Sequence, residues 1–123
     1  MMLKISLRLL LLSAIFIFSC QSPGNEADKL IGAWRGVSWT ANDQNTGRDA
    51  TAVRFQFNAD GTYTGVFGQQ NENGTYRMSG KRLYTNAENQ IEKMVETDWK
   101  TADTLIFKMN RVGTPEVLTL VRE

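Results

Sequence analysis

From Leu30 onward, apolar and polar residues alternate in short runs separated by turn formers. The clearest run is Val53–Asn58, with Val53, Phe55 and Phe57 on one side and Arg54, Gln56 and Asn58 on the other. A period of two marks a strand with one buried and one wet face. The pattern recurs and predicts eight strands, at Ile31–Thr40, Thr51–Asn58, Thr62–Phe67, Gly74–Met78, Arg82–Thr85, Ile91–Trp99, Thr104–Asn110 and Glu116–Arg122. Ile91, Met94 and Val95 also have helical spacing, but Val95, Thr97 and Trp99 alternate and the neighbouring runs are strands, so a strand is preferred.

Asp60-Gly61 and Ser79-Gly80-Lys81 read as tight turns, because glycine accepts positive φ without steric cost. Short connections between successive strands predict an antiparallel meander. Eight strands closing on themselves leave an interior that side chains fill or that holds one small ligand. The expected fold is therefore all-β, a small eight-stranded up-and-down antiparallel barrel. The expected inward residues are Val53, Phe55, Phe57, Tyr63, Phe67, Tyr76, Leu105, Phe107 and Met109. Alternate connections look longer, at Ala41–Ala50, Gly68–Asn73, Asn86–Gln90 and Arg111–Pro115. They predict one end ringed by loops, where barrels tend to bind ligands. Strict alternation from Trp34 points Trp39 outward, so a role for Trp39 at that mouth requires a bulge or a folded-over loop.

The first residues differ in character. Lys4 and Arg8 precede an apolar run, Leu9–Phe18, broken only by Ser13. It falls short of the roughly 20 apolar residues that span a membrane and suits the core of a secretory leader. Ile17-Phe18-Ser19-Cys20 follows, and a small residue before a lone cysteine at this place resembles the lipobox of bacterial lipoproteins. That resemblance implies cleavage behind Ser19 and acylation of Cys20, with each buried methylene contributing about 0.8 kcal/mol to a membrane anchor. Gln21 stands where an aspartate would favour inner-membrane retention, so the resemblance points to the outer membrane of the cell envelope. The expected organisation is a leader over residues 1–19, a polar flexible tether over 20–29 with a helical turn near Ala27–Leu30, and the barrel over 30–123.

Charge and chemistry narrow the function. The chain has 14 basic and 13 acidic residues; without Lys4 and Arg8 the count is 12 against 13, so neither sign dominates. No basic stripe with interleaved aromatics is present, and nucleic acid is not an expected partner. There is no histidine, the commonest metal ligand and general base, and the single cysteine leaves no intramolecular disulfide. Glu96 and Asp98 share a strand face but are expected in solvent. Asp43, Asp49 and the nearby asparagines lack the spacing of a calcium-binding loop. The expectation is a non-enzyme without cofactor or metal.

Gly32-Ala33-Trp34, at the start of the first strand, resembles the Gly-x-Trp signature of lipocalins. Arg122 resembles the basic residue that packs across that tryptophan in the family. The resemblance implies a guanidinium over an indole, worth about 0.5–2 kcal/mol, closing the narrow end of a barrel. It also implies a small apolar or amphipathic ligand, with Trp39, Phe55, Phe57, Tyr63, Phe67, Tyr76 and Phe107 as candidate contacts. The domain is shorter than a typical lipocalin, which implies a shallow or filled pocket. The rival reading is a protein-interaction or envelope-structural module with a filled barrel and an outer apolar patch at Val37 and Trp39; its protein partner is unknown.

Overall fold

A computed structural model describes residues 26–123. The leader, Cys20 and the first part of the tether lie outside the described residues. The chain begins with α1 (Glu26–Leu30) and continues through β1 (Gly32–Ala41), the two-residue β2 (Gln44–Asn45) and a 3-10 turn at Ala50–Ala52. Then follow β3 (Val53–Phe57), β4 (Thr62–Phe67), β5 (Gln70–Ser79), β6 (Arg82–Ala87), β7 (Lys93–Thr101), β8 (Thr104–Arg111) and β9 (Thr114–Arg122). Each of β3 to β9 pairs antiparallel with the next, β1 pairs with β3, and β9 returns to β1. Leaving aside the small β2 hairpin, this is a closed eight-stranded up-and-down barrel, as the alternation predicts. Closure leaves the main strands no unpaired edge.

The segment read ambiguously from sequence, Ile91–Trp99, forms strand β7 from Lys93 onward. Two expected loops are not loops. Gln70–Asn73 begins β5, and only Gly68 and Gln69 separate it from β4. Arg111, Thr114 and Pro115 pair in the β8–β9 ladder, leaving Val112-Gly113 as the turn. The polar side chains of Gln70–Asn73 signalled a loop, but backbone pairing with β4 overrides a weak strand propensity. What remains at that end are the excursion between β1 and β3 and the connection over residues 88–92.

The opposite end is packed shut. Leu30, Trp34, Phe57, Leu105 and Leu120 are fully buried there or just above it. Phe57 stacks on Tyr63 at 6.0 Å and meets Tyr76 edge-on at 5.0 Å. The helical turn expected before the first strand exists as α1, and it belongs to the plug: the Trp34 indole donates to the Leu30 carbonyl at 2.8 Å. Arg122 sits opposite Trp34 in the β1–β9 ladder, its guanidinium carbon 4.3 Å from the ring centroid. The same guanidinium donates to the carbonyls of Ile31 and Lys29, both at 2.9 Å. Gly32 is required beside it, having φ of +127° and leaving only 2.9 Å between an added Cβ and Arg122 Nη1.

β1 carries a bulge. Gly36 pairs with Leu120 and Ser38 pairs with Thr119, so Val37 is the extra residue. Val37 and Ser38 are both exposed, and Trp39 turns inward with 9% of its surface accessible. The outward direction expected from strict alternation is thereby reversed, and no outer patch of Val37 with Trp39 forms.

Candidate binding site at the barrel mouth

Two adjoining spaces occupy the loop-bearing end. A mouth cavity of about 590 Å³ opens to solvent between the 3-10 turn, the β4–β5 turn and the ends of β7 and β8. Beneath it lies a chamber of about 100 Å³ bordered by Phe55, Phe67, Leu83, Val95, Phe107 and Leu118. Trp39, Phe67, Lys93 and Arg111 border both spaces and define the neck between them. The 3-10 turn reaches this position because Gly36 has no side chain: a Cβ there would lie 2.1 Å from the Ala50 carbonyl oxygen. Asp49 caps the turn by accepting the Thr51 amide at 3.0 Å.

The neck is polar on one side. The Trp39 indole donates to Glu116 Oε1 at 2.9 Å. Arg48 Nη1 donates to the same oxygen at 3.3 Å, and Arg111 Nε lies 3.3 Å from Glu116 Oε2. Both guanidinium groups also lie over the Trp39 ring, at 4.8 Å and 5.7 Å from its centroid. Glu116 is only 4% exposed, and these three donors compensate its burial. Across the opening, Lys93 lies 3.5 Å from Glu72, which also accepts the Tyr63 hydroxyl at 3.0 Å. Burial, first, and the neighbouring Glu72 carboxylate push the Tyr63 hydroxyl up to about 12.

The structure divides the candidate contacts. Trp39, Phe55, Phe67 and Phe107 surround the chamber or the cavity above it. Phe57, Tyr63 and Tyr76 border neither space and pack the lower barrel. Phe55 forms the chamber floor where it stacks on Phe57 at 5.6 Å. Gly32, Trp34 and Arg122 stand at the closed end, and Cys20 lies outside the described residues. Glu96 is exposed on the outer face of β7, where Asp98 pairs with Lys108 at 3.5 Å. The Trp99 backbone N–H holds the Asp98 carboxyl below its usual value. Among the described residues, no group of three His, Cys, Asp or Glu side chains is placed to hold a metal.

Arg48, Arg111 and Glu116 were not among the residues singled out from sequence. Glu116 did leave a signal. Alternation through Leu118 and Leu120 puts Glu116 and Arg122 on the inward face, one at each end of β9. Arg48 left none, since it lies in an irregular segment.

The family model described as "Lipocalin-like domain" matches residues 30–107. No curated protein matches the chain. Among solved structures, the chain is similar to the crystal structure of a DUF4847 family protein from Bacteroides vulgatus ATCC 8482. The TM-score is 0.57 at 15% identity, over 81% of this chain and 98% of that one, a likeness of fold.

Proposed function

The chain belongs to the lipocalin-like domain family, and from that premise we propose that it is a membrane-anchored, non-catalytic binding module taking a small apolar or amphipathic molecule at its barrel mouth. One observation carries the reading: an open cavity and an apolar chamber adjoin at the shared walls Trp39, Phe67, Lys93 and Arg111, while the rest of the barrel is packed. Concave apolar spaces with a few convergent polar groups are what small-molecule sites look like.

Attachment rests on Ile17-Phe18-Ser19-Cys20, read as a lipobox that places an acylated Cys20 in the cell envelope, at the outer membrane. The described chain enters at the closed end through α1, next to Trp34 and Arg122. α1 and the mouth lie at opposite ends of the barrel, and in this reading ligand reaches the mouth from water.

Native mass spectrometry of the protein extracted from its own membrane tests both parts. The expected species starts at an acylated Cys20 and carries a small molecule that dissociates on activation. A species with the mass of the acylated chain alone at every activation energy counts against the binding module. Recovery of the wild-type chain in the soluble fraction counts against the anchor.

A further inference from the structure

Apart from Asp49, exposed at the rim, the charges of the mouth are ordered by depth. The Glu116 and Glu72 side chains are 5% and 11% exposed, whereas those of Arg48, Arg111 and Lys93 are about half exposed. Both carboxylates are already engaged, Glu116 by Trp39, Arg48 and Arg111, and Glu72 by Tyr63 and Lys93, and the half-exposed cations keep donors free toward the opening. A molecule entering the mouth meets these three cations and one exposed carboxylate, Asp49, which accepts from the Thr51 amide at the rim, whereas the chamber below is bordered by Lys93 and Arg111 and by no carboxylate. Lys93 and Arg111 border both spaces, so positive charge stands at the neck itself. Below the neck, about 100 Å³ of mostly apolar space remains. At roughly 30 Å³ per water- or methylene-sized group, it holds three or four such groups. A long acyl chain does not fit, and Phe55, Phe57 and Tyr76 block further descent.

We propose that the mouth selects a compact monoanionic amphiphile, a short-chain carboxylate whose negative group lies between Lys93 and Arg111 and whose apolar end fills the chamber. A carboxylate in this partly desolvated neck gains charge-assisted hydrogen bonds that a neutral amide of equal shape cannot make in full. The inference rests on the reading of the mouth as a binding site and adds sign and size to it.

The test is calorimetric titration of the full chain in nanodiscs, with empty nanodiscs subtracted, using propanoate, pentanoate, octanoate and pentanamide. Pentanoate is expected to bind about tenfold more tightly than pentanamide. Affinity should rise from propanoate to pentanoate and then level off. Lys93→Gln, at a half-exposed position that leaves the barrel wall intact, should bring the acid and the amide within about threefold of each other. Arg111→Gln should do the same where its unfolding transition matches the parent. Equal binding of pentanoate and pentanamide by the parent chain overturns this inference and leaves the mouth as a site for neutral molecules. Steadily tighter binding through octanoate overturns the size limit. Absence of binding by all four overturns this inference and the mouth site together.

Discussion

The Trp39 indole nitrogen donates to Glu116 Oε1 across 2.9 Å, joining residues from the two strands that close the barrel. The bond fixes the indole at the neck and gives a buried carboxylate a neutral donor in addition to its two arginines. Glu116→Ala leaves that donor unpaired, and the half-exposed arginines return to water. The expected cost is about 1–3 kcal/mol. Glu116→Gln keeps an acceptor for Trp39 and should cost less. A double-mutant cycle with Trp39→Phe, read from urea midpoints, should return a coupling of at least about 0.5 kcal/mol. Additive single effects would show that the bond is not an energetic contact.

At the other end, Trp34 and Arg122 do structural work. Trp34→Ala deletes a fully buried aromatic and should destabilise the barrel by about 3–5 kcal/mol. Arg122→Lys keeps the charge but cannot reach the Ile31 and Lys29 carbonyls together in the planar geometry of the guanidinium. It should therefore recover only part of the loss caused by Arg122→Ala. Full recovery would assign the role to charge alone. Urea denaturation followed by far-UV circular dichroism measures all three.

The bulge at Val37 makes a sharp contrast between two deletions. Removing Val37 takes out the extra residue, restores regular alternation in β1 and leaves both Trp34 and Trp39 inside. Removing Arg35, a paired residue, breaks the alternation on which the Trp34 position depends. The first variant should fold, with indole emission still blue and protected from acrylamide. The second should not reach the native spectrum.

Tyr63 predicts loss of stability in alkali. Burial pushes its hydroxyl up to about 12 in the folded chain, against about 10 for an exposed tyrosine. The unfolded chain thus releases this proton first as pH rises. Stability from this group is complete below pH 10 and declines from 10 toward 12. Tyr76, also raised by burial, acts in the same direction. Urea midpoints measured across that interval should fall for the parent, and Tyr63→Phe should flatten the fall without abolishing it.

The β8–β9 turn holds avoidable strain. Val112 has φ of 51° and is fully exposed, followed by Gly113 at φ of 85°. Two positive φ values suit Asn-Gly, while a β-branched residue is disfavoured there. Val112→Asn should stabilise the fold by about 1 kcal/mol, seen as a higher urea midpoint with unchanged slope.

The sequence by itself determined the barrel. Val53, Phe55 and Phe57 alternate with polar neighbours, and a period of two leaves one burial pattern for a strand. Gly32, Trp34 and Arg122 were legible as a closing device through their resemblance to the lipocalin signature, and the structure shows the chemistry of each: a missing Cβ, a flat ring and a planar cation. Only the tertiary structure decided the mouth. Trp39 points inward because one unpaired residue, Val37, resets the alternation, and a bulge depends on the register of β1 against β9. Gln70–Asn73 extend as strand because neighbouring backbones supply hydrogen bonds that their side chains do not foretell. Arg111 and Glu116 meet across the local β8–β9 hairpin, but Arg48 and Trp39 join them from the far side of the chain, and that convergence exists only once the barrel has closed. Periodicity is local and survives in sequence, whereas the neck is made by long-range pairing.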